Sequence, residues 1–158
     1  MLQGALDKKR VLDLFSGTGA LGFEALSQGA AHVVFVEENR SQCKKIAQNL
    51  ERLKIAGGAE VIDQEALRWL TRGANAAGPF NFIFLDPPYG SGLGMETLQA
   101  ISKTGVLSKT GFVILECSKK EDMPSLLGQL HLVRQKRYGQ TKVLIYAAKS
   151  KLPGGSSA

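Results

Sequence analysis

Short apolar runs alternate with segments of helical periodicity along most of this 158-residue chain. The apolar runs predict seven strands, at 10–15, 32–37, 59–63, 80–85, 111–116, 131–137 and 142–148. The intervening segments predict helices near 19–28, 40–55, 64–72, 93–103 and 121–130. Strands that are apolar almost throughout and separated by helices are typical of a parallel sheet covered on both faces. The alternation therefore predicts an α/β fold.

The last two predicted strands depart from this pattern. Only YGQT (138–141) lies between them, which is too short for a parallel crossover, so the pair must form an antiparallel hairpin. We therefore expect a seven-stranded, mostly parallel sheet with helices on both faces and an antiparallel terminal hairpin. One domain should span residues 1–150. The tail at 151–158 is rich in glycine and serine, and we expect it to be disordered or left over from expression.

Composition and cysteine content narrow the class of protein. Apolar residues make up 44% of the chain and charged residues 22%, which is ordinary for a globular domain. No apolar run approaches the ~20 residues that a membrane-spanning helix needs. Cys43 and Cys117 lie far apart and match no metal-binding or redox spacing. We expect a monomeric cytoplasmic protein with neither a membrane segment nor a metal site.

The net charge of +6 is unevenly distributed. Residues 1–102 carry ten Lys or Arg and eleven Asp or Glu, whereas residues 103–158 carry ten and three. Such a basic excess suits a polyanionic partner, because each phosphate contact releases counterions. A solvated lysine-rich face would give the same count, so the charge alone leaves both interpretations open.

A glycine-rich loop follows the first predicted strand in VLDLFSGTGALG (11–22). Gly17, Gly19 and Gly22 have the GxGxxG spacing, which is a weak signal alone but here stands between a strand and a helix, as a nucleotide site requires. The glycines permit a tight turn and a close approach of ligand to backbone. Glu37 ends the second strand, where its carboxylate can accept hydrogen bonds from ribose hydroxyls. These features predict an adenosine-containing cofactor.

Asp13 helps to choose between cofactors. It lies just before the glycine loop, where its charge disfavours a second phosphate and suits a cationic amino-acid group. The pattern therefore favours S-adenosylmethionine over a dinucleotide. LDLFSGTGALG resembles the first motif of class I S-adenosylmethionine-dependent methyltransferases. That resemblance implies a Rossmann-like fold whose seven-stranded sheet ends in a reversed hairpin.

The segment FIFLDPPY (82–89) ends the fourth predicted strand. Proline would stop a strand in any loop, but at the switch point of a doubly wound sheet this segment faces the glycine loop. A carboxylate at Asp86 and a nearby carbonyl, held rigid by Pro87 and Pro88, can accept both N–H groups of an amine on a ring. Tyr89 offers a ring on which a base can stack. DPPY resembles the (D/N)PP(Y/F) signature of methyltransferases that act on adenine N6, guanine N2 or protein glutamine.

Longer stretches favour one of these groups. VLDLFSGTGALGFEALSQGA, VVFVEENR, QNLERL, FIFLDPPY and RYGQTKVLIY together resemble the bacterial RsmD family, which methylates N2 of one guanine in 16S rRNA. The resemblance implies 16S rRNA or the small ribosomal subunit as partner. It also implies that Asp13, Gly17, Gly19 and Glu37 contact S-adenosylmethionine, and that Asp86, Pro87 and Tyr89 hold the base.

The chain departs from the family in two places. The family usually has an aspartate that binds the adenine amino group after the third strand, whereas DQEALRWL (63–70) has Glu65 there, one methylene longer. We still expect Glu65 to contact the cofactor. The family also carries a basic hairpin and a helix before the first motif, and MLQGAL resembles only the end of that helix. The resemblance thus implies a fragment or a short member, with weakened RNA binding.

Two other functions are compatible with the sequence. A DNA adenine-N6 methyltransferase would use the same clamp, although the chain offers no additional domain that could read a DNA sequence. A non-catalytic module that binds RNA or the cofactor is the other alternative. Four basic residues flank the terminal hairpin and could contact RNA phosphates or merely protect a sheet edge: Arg134, Lys136, Arg137 and Lys142.

Overall fold

The computed structural model describes residues 4–55 and 57–149. These residues form eight strands: β1 (Arg10–Leu14), β2 (His32–Glu37), β3 (Ala59–Asp63), β4 (Phe80–Leu85), β5 (Leu107–Ser118), β6 (Leu126–Leu127), β7 (Leu130–Tyr138) and β8 (Thr141–Ala148). Five helices accompany them: α1 (Ala20–Ser27), α2 (Arg40–Arg52), α3 (Ala66–Arg72), α4 (Ala74–Ala77) and α5 (Leu93–Lys103). The predicted tail at 151–158 lies outside the described residues, and one domain over 1–150 stays a prediction.

All eight strands belong to one sheet, in the order β3-β2-β1-β4-β5-β8-β7-β6. Neighbours among β1 to β5 pair in parallel. β8 runs antiparallel to both β5 and β7, and β6 runs antiparallel to β7. The α/β architecture and the antiparallel terminal hairpin are therefore confirmed. The predicted number of seven strands is wrong, because β6 adds an eighth.

A second sequence prediction in this part of the chain is also wrong. The helix predicted near 121–130 is absent from this stretch, which contains loop, the two-residue strand β6 and the first residue of β7. Pro124 has no N–H to donate within a helix, and Gly128 turns the chain from β6 into β7 at φ +57°. The carbonyl of Pro124 instead accepts a 2.8 Å hydrogen bond from the Tyr146 hydroxyl. The loop is thus fastened to the sheet without a helix.

Two apolar layers enclose the sheet. One contains residues of α3, α4 and α5 packed on the sheet, with Trp69, Leu98 and Ile101 among them. The other contains residues of α1 and α2, including Ala25 and Ile46, packed on Phe35. Helices therefore cover both faces, as predicted. Within the described residues, no helix is long and apolar enough to cross a membrane.

The strand order determines where a site can form. β1 and β4 are adjacent, yet the chain leaves β1 toward β2 on one side and leaves β4 toward β5 on the other. The loops after these strands diverge and leave a crevice at the carboxyl edge of the sheet, where doubly wound proteins bind ligands. The glycine loop and DPPY follow β1 and β4 respectively. The two sequence motifs therefore face each other across this crevice.

Candidate active site

A cavity of about 480 Å³ occupies this crevice. The segments that follow β1 to β4 contribute to its wall, and Glu116 near the end of β5 closes one side. The lining residues are Phe15, Val36, Glu37, Glu38, Gln64, Glu65, Ala66, Asp86, Pro87, Pro88, Tyr89, Leu93 and Glu116. Five of the eight predicted site residues are among them. Asp13, Gly17 and Gly19 lie outside the wall and support it.

The glycine loop is shaped by left-handed backbone at three positions. Gly17 has φ +58° and Gly19 has φ +84°, conformations that glycine adopts without steric cost. Phe15, which lines the cavity, also has φ +58°, where a residue with a Cβ is strained. A Cβ added at Gly17 would meet no atom within 4 Å, so the loop leaves open space on that side. Strain of this kind at a cavity wall is common at ligand sites.

Asp13 lies under the loop. Its side chain is 1% exposed, and Oδ2 accepts a 3.0 Å hydrogen bond from the N–H of Gly22 in α1. Burial raises the pKa of this carboxyl to about 7, although the Gly22 hydrogen bond acts in the opposite direction. The structure therefore places Asp13 as the link between β1 and the first turn of α1. Direct contact of Asp13 with a cofactor stays a prediction.

Two glutamates on the cavity wall are held by backbone groups. Glu37 accepts from Gly17 N–H at 2.8 Å through Oε1 and from Asn39 N–H at 2.8 Å through Oε2. Glu65 caps α3, accepting from Leu67 N–H at 3.3 Å and from Arg68 N–H at 2.8 Å. A carboxylate oxygen has two lone pairs, so each acid can still accept a ligand hydrogen bond. The longer side chain of Glu65 thus serves as a helix cap while it lines the cavity.

The DPPY segment forms the opposite wall. Partial burial raises the pKa of Asp86 above its usual range, and the nearby Glu116 carboxylate raises it further. Tyr89 is 55% exposed, and its hydroxyl lies 3.5 Å from Glu116 Oε1. Ser91 donates to the Pro88 carbonyl at 2.6 Å, which fastens the turn after the motif. An accessible acceptor and an accessible ring therefore stand together at the mouth of the cavity.

Glu116 is one of the cavity residues that the sequence predictions missed. It lies in FVILECS, where a single acid interrupts an apolar strand close to its carboxyl end. Glu37 and Asp86 gave the same signal at the ends of β2 and β4, so the pattern was available on β5. Gln64 and Phe15 also line the cavity but carry no comparable signal.

The four basic residues of the terminal hairpin differ in their exposure to solvent. Arg134, Lys136 and Arg137 are exposed, whereas Lys142 is 6% exposed. Lys142, which pairs with Cys117 across β5 and β8, is too buried for the phosphate contact that was one of its two possible roles. Among residues 4–55 and 57–149, no group of three or more His, Cys, Asp or Glu side chains could hold a metal ion.

Comparison with known proteins identifies the family of the chain. The family model described as Conserved hypothetical protein 95 matches residues 1–147. The YlbH protein of Bacillus subtilis is 36% identical over 146 residues, covering 92% of this chain and 79% of YlbH. Ribosomal RNA small subunit methyltransferase D of Escherichia coli K12 is 35% identical over 135 residues, 85% of this chain and 66% of the relative.

Solved structures share the whole fold. The yhhF protein of Escherichia coli superposes with a TM-score of 0.84 at 32% identity, covering 94% of this chain and 80% of that one. A conserved hypothetical protein from Streptococcus pyogenes gives a TM-score of 0.80 at 34% identity, covering 89% and 86%. The chain therefore belongs to the conserved hypothetical protein 95 family, the RsmD-like methyltransferases.

Proposed function

We propose that this protein transfers a methyl group from S-adenosylmethionine to the exocyclic N2 amine of a guanine in 16S rRNA. The observation that carries the proposal is the position of Asp86. Its solvent-accessible carboxylate lines the cavity opposite the backbone-held Glu37 and Glu65. One wall is therefore suited to a nucleoside cofactor and the other to an amine on a base. The Escherichia coli relative is named for small-subunit rRNA methylation, which agrees with this substrate.

The cavity wall fits S-adenosylmethionine chemically. Glu37 retains lone pairs for the ribose hydroxyls, and Glu65 retains them for the adenine amino group. The open side of Gly17 admits a ligand close to the backbone. When bound, the cofactor supplies an electrophilic methyl group on a sulfonium. Asp13, Gly17 and Gly19 would act by holding the loop that surrounds it.

Asp86 addresses the weak nucleophilicity of the acceptor amine. The lone pair of a guanine N2 amine is delocalised into the ring, so the nitrogen attacks poorly. Hydrogen bonds from both N–H groups, one to the Asp86 carboxylate and one to the Pro87 carbonyl, would draw the nitrogen toward tetrahedral geometry. Tyr89 would hold the base by stacking, a contact worth ~1–3 kcal/mol. Positioning is then the main catalytic contribution, and the proton that the methylated nitrogen releases passes to the Asp86 carboxylate or to solvent.

The terminal hairpin supports an RNA substrate. Glu116 pairs with Val143, and Val143 pairs with Lys136, so these three side chains share one face of the sheet. Two strand spacings separate Glu116 from Lys136, which is about 10 Å. Arg134 lies two residues before Lys136 and Tyr138 two residues after it, so both side chains share that face. A strand whose target base enters the cavity would pass these cations. We therefore propose 16S rRNA or the small ribosomal subunit as the partner. We also propose that the enzyme is monomeric, consists of one domain and is cytoplasmic.

Substitution of Asp86 tests whether this residue acts on the base and not on the cofactor. Asp86→Ala should abolish transfer from labelled S-adenosylmethionine to 16S rRNA or small subunits, while cofactor affinity measured by calorimetry changes by no more than a few fold. Asp86→Asn is the matched control, because its amide oxygen keeps one acceptor and should retain part of the rate. Equal loss of transfer and of cofactor binding would show that Asp86 serves the cofactor.

Methyl transfer to different substrates distinguishes the proposed function from the two alternatives. Naked 16S rRNA, assembled small subunits and duplex DNA should be offered to the wild-type protein in parallel. Label in the RNA, recovered as N2-methylguanosine after digestion, is the expected result. Label in DNA alone would support an adenine-N6 methyltransferase. Intact cofactor binding without label in any substrate would support a binding module.

A further inference from the structure

Glu116 lines the cavity, yet the proposed transfer to the amine does not use it. It lies near the carboxyl end of β5, and β5 pairs in parallel with β4, which leads into DPPY. Its carboxylate contacts the Tyr89 hydroxyl at 3.5 Å and is close enough to Asp86 to affect the pKa of that group. A second acceptor therefore stands beside the proposed amine acceptor.

The edge of guanine matches two adjacent acceptors. Guanine presents an N1–H donor next to its N2 amine, so consecutive hydrogen atoms point outward from one side of the ring. Adenine presents an amine next to an N1 lone pair, so a carboxylate at the second position would face an acceptor. An ionised carboxylate can only accept hydrogen bonds. A pair of neighbouring carboxylates therefore favours guanine and opposes adenine.

The other acids on the cavity wall are not suited to this role. Glu37 ends β2, Glu38 follows it, and Glu65 follows β3, on the side of the crevice away from DPPY. Glu37 and Glu65 are also fixed by two backbone N–H groups each. Glu116 accepts only from Tyr89 among the described side chains and backbone groups, and that contact is at the long limit of a hydrogen bond. It can turn to a base without breaking a structural bond.

We propose that Glu116 accepts the N1–H of the target guanine and is the residue that selects guanine over other amino-bearing bases. This inference rests on the proposed guanine-N2 activity and adds the residue that reads the base. Asp86 takes one N2 hydrogen, Glu116 takes the N1 hydrogen, and the Tyr89 ring is tethered at its hydroxyl between them. The two donors of guanine lie between the two carboxylates and offset their mutual repulsion.

The test uses 2-aminopurine, which keeps the N2 amine but has a lone pair at N1. Ligated 16S rRNA carrying guanine or 2-aminopurine at the target position would be assembled into small subunits and offered to wild-type protein and to Glu116→Gln. The wild type should prefer guanine by at least about tenfold in kcat/KM, since an aligned polar pair discriminates to this extent. Glu116→Gln should lose most of that preference, because its amide can donate to N1 of 2-aminopurine.

Two further variants keep the test interpretable. Glu116→Asp keeps a carboxylate and should keep the guanine preference at a reduced rate. Glu60→Gln removes a carboxylate on β3, outside the cavity, and should change neither rate nor preference. If Glu116→Gln lowers kcat/KM equally on both bases and so keeps the wild-type preference for guanine, only the role of Glu116 is overturned. Absence of wild-type transfer to the guanine subunits would overturn the proposed function itself.

Discussion

Asp13 shows how one buried side chain can serve the fold and the site together. Its carboxylate is shielded from water and bonded to the N–H of Gly22, so it ties β1 to α1 directly below the glycine loop. Burial penalises the charged form and raises the pKa to about 7. A group whose pKa is higher in the folded than in the unfolded chain binds extra protons when folded. The free energy of unfolding must then fall as the pH rises toward neutrality.

Asp13→Asn should remove this dependence while keeping the hydrogen bond, because the amide oxygen can accept from Gly22. Relative to the variant, the wild type should lose about 2–3 kcal/mol of unfolding free energy between about pH 5 and about pH 8. Urea denaturation of both proteins across this range measures the difference. Asp7→Asn, which changes an exposed carboxyl, is the control. Parallel curves for wild type and Asp13→Asn would contradict the pKa assignment.

At the scale of elements, α1 depends on a glycine that the loop does not require for its turn. A Cβ built on Gly22 would lie 2.2 Å from a ring carbon of Phe35 on β2, so only a residue without a side chain lets the helix approach the strand. Gly94 in α5 is equally buried, but a Cβ there would meet its nearest atom at 3.6 Å. The two helical glycines therefore differ in the space around them.

Gly22→Ala should destabilise the protein by about 1–3 kcal/mol, because Phe35 must leave its place in a packed layer. Gly94→Ala should be neutral or stabilise by up to about 1 kcal/mol, since alanine favours a helix over glycine. Urea midpoints of the two variants against wild type give the comparison. Equal destabilisation by both changes would indicate that backbone freedom, rather than space, fixes Gly22.

Elements with a strong local pattern could be predicted, and those governed by distant contacts could not. β2, β3, β4 and α5 have the predicted bounds because apolar runs or helical periodicity end at turn residues. The stretch at 121–130 has apolar residues but also Pro124, and its path depends on pairing with β7 and on the Tyr146 hydroxyl. Contacts of that kind arise only after the sheet has formed, so they leave no local pattern.

At the scale of the whole molecule, strand order brings remote motifs into one site. DPPY and the glycine loop could be predicted to meet because both follow adjacent central strands. Glu116 carried the same signal, but its nearness to Tyr89 depends on the parallel register of β4 and β5. The roles of Glu37 and Glu65 as backbone anchors likewise depend on loop conformations. Residue types were thus predictable, whereas their mutual distances required the structure.

The basic face of the hairpin gives a prediction for RNA affinity. Replacement of Arg134 and Lys136 by glutamine should weaken binding to 16S rRNA and lower the slope of log affinity against log salt by about one to two, one step per lost phosphate contact. Lys44 and Lys45 on α2 are exposed and supply a control that loses the same charge. Filter binding across a salt series measures both. Equal slopes for the two double variants would show that net charge, rather than the hairpin, attracts the RNA.

The backbone anchors of Glu37 and Glu65 determine when these side chains lose their conformational entropy. Each acid occupies one rotamer before any ligand arrives, because two N–H groups hold its carboxylate. The rotamer freedom of these side chains is therefore surrendered when the chain folds, and association need not order them again. A wall prepared in this way is a rigid receptor. Ligand affinity should then depend on whether each acid keeps both of its backbone anchors.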